Sequence, residues 1–362
     1  MPKKGKDVGN LVQACLSGET KNALAILKKG TPIDACDAQG NHALVAACCG
    51  GHLELVKALV ERGAPLELKN GIGTSPLWLA AGYGHHHVLD FLIEKGADVN
   101  AGNSTKDTPM LAAASKRHTQ CVRRLVEAGA RHLTVNAGGD SPLSLAVADS
   151  NTEMAAILLE QPGAAVLLGR KNDKGVHPMA SAAAGGNAEL ARLLIEAGGS
   201  LTDTDANGAT PLALAAFCGQ AEVTTLLVGK EGVDVECTDN SGATPLWLAS
   251  AAGHDEVVRV LLEAGARPDV TSGGKTALVA ATRNGHPKVK ALLEGAEPLA
   301  LTDAPAAAAD AAADAGAGAG AAQPEPEEED DGIPDFDGDF DVDDKTFDPA
   351  RLDDEGKAFV FK

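Results

Sequence analysis

One residue pattern recurs nine times along this chain, at intervals of 32 to 36 residues. Its reference position, most often Ser or Thr, is followed two residues later by Leu or Met and five residues later by Ala in every unit. The reference positions are Gly9, His42, Ser75, Thr108, Ser141, His177, Thr210, Thr244 and Thr276. A period of this length predicts a solenoid of stacked supersecondary units.

The residues of one unit predict two short helices. Ser or Thr at the reference position is a good N-cap, and six units follow it with Pro, which suits the first helical position. Alanine at position +5 lets neighbouring helices approach closely, and Gly at position +9 ends the first helix in seven units. A second helix with paired apolar residues follows and also ends at glycine. Because such a unit cannot bury both faces alone, its neighbours must stack on it.

The segments "TSPLWLAAGYGHHHVLDFLIEKGADVNA" and "GATPLWLASAAGHDEVVRVLLEAGARPD" carry these features together. In them the chain resembles the ankyrin repeat family, with nine repeats over residues 5–298. The resemblance implies an all-α solenoid of helix-turn-helix units joined by β-hairpin loops. It also implies binding of protein partners by the hairpin tips and the inner face of the first helices.

Three departures from the family pattern lead to further expectations. Position +3, usually histidine in the family, holds other residues here, so we expect packing to replace the capping hydrogen bonds that this histidine supports. The first and last repeats are irregular, as capping units should be. Repeat five adds three residues in "LLEQPGAAVLLGRKN", with Pro162 where the second helix should end, which predicts a bend or bulge before repeat six.

The triplet His85, His86 and His87 suggests a metal site at first sight. His85, however, occupies position +10, where His52 and His118 stand in the flanking repeats, and where the family uses a polar side chain to bond the neighbouring repeat. His86 and His87 fall on an exposed first helical turn, and adjacent side chains there diverge. We therefore expect a structural role for His85 and no metal site.

The resemblance places several residues on a partner-binding surface. Trp78 and Trp247, the only tryptophans, share position +3, where they either pack near the hairpin base or line the concave face. Exposed aromatic and arginine side chains are frequent interface anchors. The other positions carried over to this surface are Ile72, Tyr83, Lys116, Arg117, Phe217 and Arg283.

Other function classes find little support in the sequence. None of the sequence signatures of common hydrolases, nucleotide-binding enzymes or zinc proteases occurs. The seven cysteines form no CxxC pair, which favours reduced thiols and a cytoplasmic or nuclear location. The net charge of −20 disfavours nucleic acid and anionic membranes as partners. We expect no cofactor, no membrane segment and a monomer.

The composition changes after Pro298. From Leu301 onward there are 19 acidic residues against 4 basic ones. Residues 299–332 form a linker of alanine, glycine and acid, and residues 333–362 mix acid with phenylalanine. With a basic stub at 1–4, these segments complete the predicted domain organisation. The tail phenylalanines are Phe336, Phe340, Phe347, Phe359 and Phe361.

Three functions remain for such a chain. The first is a non-enzymatic adaptor, scaffold or regulatory subunit, which binds a protein through the concave repeat surface and makes a second contact with the tail. Alternatively, the tail is a plain entropic spacer, or it folds back on the repeats. The second function is a chaperone-like or histone-shielding protein whose acidic tail masks a basic client. The third, an enzyme or metalloprotein, rests only on the histidines and cysteines.

Overall fold

The computed structural model describes residues 2–295, and its side chains from Asp7 onward. The chain divides into two units, Met1–Pro298 and Leu299–Lys362, and the linker and tail predicted above lie outside the described residues. Helix α1 begins at Pro2, so the predicted basic stub is continuous with the first helix.

Nine helix pairs make up the described part of the chain. The first helices are α1 (Pro2–Leu16), α3 (Ala43–Cys49), α5 (Pro76–Gly82), α7 (Pro109–Ser115), α9 (Pro142–Ala148), α12 (Pro178–Gly185), α14 (Pro211–Phe217), α16 (Pro245–Ala252) and α18 (Ala277–Arg283). The second helices are α2 (Thr20–Lys28), α4 (Leu53–Val60), α6 (His86–Glu94), α8 (Thr119–Glu127), α10 (Thr152–Leu159), α13 (Ala188–Glu196), α15 (Ala221–Val228), α17 (Asp255–Glu263) and α19 (Pro287–Gly295). Each first helix packs on the next first helix, and the second helices from α4 onward do likewise.

Side chains at the reference position cap the first helices. The Ser75 hydroxyl accepts a hydrogen bond of 3.2 Å from the Trp78 backbone N–H, and His177 accepts one of 3.3 Å from the Ala180 N–H through Nδ1. Seven first helices have such a cap. The helix starts therefore keep their capping hydrogen bonds without histidine at position +3, and the prediction that packing replaces these bonds is wrong.

A continuous apolar core runs through the stacked pairs. Ala80 of α5 and Leu89 and Leu92 of α6 are fully buried, and most of their counterparts in the other repeats are buried as well. Alanine on the first helices keeps the stacked helices close, while leucine and valine on the second helices fill the space between pairs. The nine units thus share one core, as neither helix of a pair could bury its apolar face alone.

The loops between repeats differ in one respect from the expected β-hairpins. Within residues 2–295, regular strands occur only in the last loop, where β1 (Thr271–Ser272) pairs antiparallel with β2 (Lys275–Thr276). Most of the other loops are five-residue turns that begin with Asn or Asp. In one of them, the Asn70 side chain accepts the Thr74 N–H at 2.9 Å, and the Asn70 N–H donates to the Thr74 carbonyl at 3.0 Å. Such a loop is closed by a hydrogen bond to the side chain of its own first residue, and it is too short for a ladder of hydrogen bonds between two strands.

The three residues added in repeat five form an extra helical turn. Helix α10 ends at Leu159, and a one-turn helix, α11 (Ala165–Leu168), follows Pro162. Leu167 and Leu168 of α11 are buried and anchor it to the solenoid. Because α9 still packs on α12 and α10 on α13, the predicted irregularity takes the form of a local bulge across which the stacking continues.

Candidate partner-binding surface

A ladder of side chains at position +10 links neighbouring repeats. His85 donates from Nε2 to the Cys49 carbonyl of the preceding repeat at 2.9 Å, and His118 donates to the Gly82 carbonyl at 3.1 Å. Four other residues at this position make the same link, at 2.8–3.0 Å: His52, Gln220, His254 and His286. The structural role predicted for His85 is confirmed.

The rest of the histidine triplet lies at the start of α6. His86 is half-buried and His87 is exposed, with ring centroids 4.0 Å apart and planes tilted by 46°. Within residues 2–295, no three His, Cys, Asp or Glu side chains are grouped so that they could hold a metal ion. In the triplet, His85 therefore forms an inter-repeat hydrogen bond, whereas His86 and His87 form the start of α6.

The C-terminal ends of the first helices provide exposed positions, +7 and +8, on the predicted inner surface. Most residues there are small or half-buried, but Tyr83 and Phe217 are 43% and 46% exposed. The Phe217 carbonyl accepts the bond from His254, which fixes its backbone against the next repeat. Two large aromatic rings thus stand out from a face on which most of the other side chains are small.

Tyr83 lies against the preceding repeat. Burial of its hydroxyl, followed by the nearby Cys49 thiol, raises the pKa of Tyr83 to about 12. Burial likewise raises the pKa of the Cys49 thiol, so both groups stay protonated at neutral pH. The hydroxyl is thus partly buried while 43% of the residue is exposed, an arrangement that suits an aromatic anchor.

Lys116 and Arg117 end the next first helix and are both exposed. Arg117 occupies position +9, where most repeats have glycine, and has φ of +62°. Its guanidinium forms an ion pair of 2.6 Å with Asp149 of repeat five. Arg117 therefore bridges two repeats at the edge of the predicted surface.

The two tryptophans share a repeat position but differ in their hydrogen bonds. Trp247 donates from its indole N–H to the Lys275 carbonyl in β2 at 3.1 Å, so it packs near the base of the last hairpin. The indole N–H of Trp78 is buried and has no hydrogen-bond partner among the described residues. Both rings are half-buried, which gives each of them a smaller exposed face than Tyr83.

The remaining predicted residues lie at the margins of this surface. Ile72 is 43% exposed at the tip of the loop before α5, and Arg283 is exposed in the last turn of α18. Ile72, Trp78, Tyr83, Lys116 and Arg117 belong to repeats three and four, whereas Phe217, Trp247 and Arg283 belong to repeats seven to nine. The predicted residues thus form two groups along the solenoid. Phe336, Phe340, Phe347, Phe359 and Phe361 lie outside the described residues.

Three exposed apolar side chains were not among the predicted site residues: Leu133, Val166 and Val279. Val279 is at position +3 of the last described repeat, a position that is buried in most other repeats. Val166 lies on the extra turn of repeat five, and Leu133 lies in the loop that precedes that repeat. A comparison of each loop position across all repeats would have singled out Leu133, because the equivalent residues are mostly polar.

Buried cysteines offer no reactive site. Burial raises the pKa of Cys15 to about 12 and that of Cys121 to about 11, and it also raises the pKa of Cys48. A thiol with a raised pKa is a poor nucleophile, because the thiolate is the reactive form. In the part of the chain that the structure describes, no helix is long and apolar enough to cross a membrane.

Comparison with known families agrees with the repeat geometry. The family model described as Ankyrin repeats (3 copies) matches four overlapping segments, at residues 11–103, 100–168, 164–239 and 223–301. No match was found among curated proteins. Together the matched segments span most of the chain, and paired helices stacked in sequence are the architecture of this family. The chain therefore belongs to the ankyrin repeat family, whose repeats form a protein–protein interaction module.

Proposed function

We propose that this chain is a non-enzymatic adaptor, scaffold or regulatory subunit. It binds a protein partner through an inner surface made by the C-terminal ends of the first helices and the loop tips. The observation that carries the proposal is Tyr83, an aromatic residue that is 43% exposed at the C-terminal end of α5, where the helix holds its backbone. An anchor that is already ordered loses little conformational entropy on binding.

The two groups of exposed residues suggest two contacts along one extended partner. Tyr83, with Lys116 and Arg117 in the next repeat, forms an aromatic contact beside positive charge. Phe217 provides a second aromatic contact further along the solenoid, between small residues of α12 and α16. Aromatic and arginine side chains at such points carry most of the binding energy in many interfaces.

The tail supplies a second kind of contact. Its acidic residues keep the phenylalanines in water when free, and those side chains can enter an apolar groove of the partner when bound. Tethering the tail to the repeats raises its effective concentration at a partner that is already engaged. We further infer that the protein acts inside the cell as a monomer, without a cofactor and without binding nucleic acid.

Affinity capture with the full-length protein tests both surfaces, followed by binding measurements on each purified partner that is recovered. We expect Tyr83→Ala with Phe217→Ala to weaken binding about tenfold or more, because truncation of an anchor costs at least about 1.4 kcal/mol. His87→Ala, which removes an exposed side chain from a second helix, is the control and should leave affinity unchanged. Equal affinity of all three proteins for every partner would refute the inner surface.

A full-length variant with serine at all five tail phenylalanines tests the tail. We expect a moderate loss of affinity for the same partner, since the repeats still bind. The alternative function, shielding of a basic client, predicts another outcome: binding that depends on the acidic tail alone and is lost at high salt. Salt-insensitive binding that requires Tyr83 excludes this alternative.

A further inference from the structure

The extra turn of repeat five exposes the most accessible large apolar side chain in the described part of the chain. Val166, on α11, is 64% exposed, while its neighbours Leu167 and Leu168 are buried. The two leucines suffice to hold the turn against the solenoid. Most of Val166 is left outside that packing, and a β-branched residue has no advantage in a helical turn.

A second exposed apolar residue, Leu133, stands where other repeats have a hydrogen-bonding side chain. In three of those repeats, the side chain at this loop position accepts the backbone N–H of a residue in the following repeat. These bonds join Glu67 to Asp98 at 2.9 Å, Asn100 to Arg131 at 2.8 Å, and Glu236 to Arg267 at 2.6 Å. Leu133 cannot accept a hydrogen bond, and 41% of it is exposed. Repeat four therefore gives up a stabilising link and presents an apolar side chain instead.

Leu133 and Val166 both flank Gly163. Leu133 Cδ1 would lie 3.7 Å from a Cβ at Gly163, and the Val166 N–H donates to the Gly163 carbonyl at 3.0 Å. His132 Nε2 donates to the Pro162 carbonyl at 3.1 Å, which fixes the Leu133 loop against the added turn. We call Leu133, Pro162, Gly163 and Val166, all of them exposed, the insertion patch.

Basic residues border the insertion patch. Arg131 precedes Leu133 by two residues, and Arg170 and Lys171 follow α11; all three are exposed. None of them forms an ion pair with another residue of the described repeats, but the Lys171 ammonium donates to the Thr204 carbonyl in the next loop. Glu160 and Asp173 are the acidic residues closest in sequence to the added turn. The border therefore carries a net positive charge in a chain whose overall charge is −20.

We propose that the insertion patch is a second docking site, distinct from the inner surface of the first helices. Its occupant is an acidic linear segment of a partner protein that carries one or two large apolar side chains. The apolar side chain contacts Leu133 and Val166, and the flanking carboxylates pair with Arg131 and Arg170. An apolar centre with a charged border is the usual anatomy of an interface, and the opposite charges select the partner.

The test uses the full-length protein with labelled leucine and valine methyl groups, and a synthetic peptide with two phenylalanines set among aspartates. We expect the methyl resonances of Leu133 and Val166 to shift on titration. A peptide of the same length with lysines in place of the aspartates should not shift them. Raising the salt concentration should weaken binding of the acidic peptide, because the border residues are exposed.

Two variants separate docking from folding. Leu133→Asn introduces the residue type that repeat three has at this position, and Val166→Thr keeps the shape of the side chain. We expect each variant to keep the melting temperature and to weaken peptide binding about tenfold. Val279→Thr, which alters an exposed valine at the far end of the repeats, should leave binding unchanged.

Several results would overturn the proposal. One is equal binding of the lysine peptide, which would make the patch merely apolar. Another is a lower melting temperature of Leu133→Asn with unchanged peptide affinity, which would make Leu133 a structural residue. A third is concentration-dependent self-association that disappears in Leu133→Asn, which would make a second copy of this chain the occupant. An absence of shifts at Leu133 and Val166 would count equally against it.

Discussion

The junction between repeats three and four and that between repeats five and six use different residues for the same task. At the first, Gly84 has φ of +77°, and a Cβ on it would lie 2.6 Å from Nδ1 of His118 in the next repeat. At the second, Ser150 takes the place of the glycine with φ of +52°, and Asn187 takes the place of the histidine. An imidazole needs the space that a missing side chain leaves, whereas an asparagine does not.

The same pairing holds at the other junctions. Glycine faces histidine in five of them: Gly18 and His52, Gly51 and His85, Gly84 and His118, Gly219 and His254, and Gly253 and His286. Where position +9 carries a side chain, as in Arg117 and Ser150, the next repeat has Asn151 or Asn187. Gly186 faces the longer amide of Gln220. Positions +9 and +10 of adjacent repeats therefore act as one packed pair.

At the asparagine junctions, the residue at position +10 also caps the second helix of its repeat with its side chain. Asn187 accepts the Leu190 N–H at 3.0 Å and thereby caps α13, while its amide donates to the Ser150 carbonyl at 3.3 Å. The histidine that starts α8 makes the inter-repeat bond but no side-chain cap. Repeats five and six thus combine capping and bridging in one residue, and repeats three and four keep them separate.

The largest expected effect comes from breaking one glycine–histidine pair. Gly84→Ser gives repeat three the residue of repeat five, but it forces a Cβ into the ring of His118. A non-glycine residue at this φ costs about 1–2 kcal/mol, and overpacking adds to it. We expect the free energy of unfolding to fall by about 2–3 kcal/mol in chemical denaturation.

A double variant tells steric conflict from backbone strain. Adding His118→Asn to Gly84→Ser recreates the Ser150–Asn187 pair and should recover about half of the lost stability, because only the backbone strain remains. Strictly additive losses from the two substitutions would contradict the idea of a packed pair.

Much of this arrangement could be predicted from the sequence. The 33-residue period placed the helix pairs, the caps and the inter-repeat bond of His85, because each depends on residues that recur in fixed positions. The Gly84–His118 pair was missed because it joins neighbouring repeats and becomes visible only once they are stacked. The capping by His177 and the turns that replace hairpins were missed because they depend on which side-chain atom reaches which backbone group.

Less of the candidate surface than of the fold could be predicted from the sequence. The family resemblance placed Tyr83 and Phe217 on the inner face, but position alone does not decide exposure, because Cys49 at position +7 is buried. The proximity of the Tyr83 hydroxyl to the Cys49 thiol depends on a contact between repeats that spacing alone does not reveal. Val166 and Leu133 were missed because the insertion breaks the alignment from which the other exposed residues were read.

A smaller, pH-dependent effect on stability should distinguish the histidine junctions from the other junctions. Burial lowers the pKa of His118, an effect that the hydrogen bond to the Gly82 carbonyl partly offsets. The neutral ring is therefore favoured in the folded state, so its contribution to stability is complete above the unfolded pKa of about 6.5 and is lost as the pH falls through the lower folded value. We expect His118→Gln to reduce the loss of melting temperature between about pH 7 and pH 5.

The reciprocal variant provides the control for this pH effect. Gln220→His places an imidazole opposite Gly186, whose φ of +75° matches that of the glycines at the histidine junctions. We expect it to steepen the loss of melting temperature at acidic pH, since burial of the added ring opposite Gly186 favours its neutral form. Parallel pH profiles for the wild type and both variants would show that these junctions do not titrate.

The smallest expected effect is a gain in stability at the asparagine junction. Ser150→Gly removes the backbone strain of a non-glycine residue with positive φ. The hydrogen bond from the Asn187 amide is retained, because its acceptor is the Ser150 backbone carbonyl. The relief of about 1–2 kcal/mol is partly offset by the greater freedom of glycine in the unfolded chain, which leaves about 0.5 kcal/mol.

Arg117→Gly relieves the same strain but also removes the ion pair with Asp149, so it should change stability less. If thermal unfolding shows an equal gain for both variants, the ion pair contributes nothing. A loss for Ser150→Gly would mean that the serine side chain stabilises the junction more than its strained backbone weakens it.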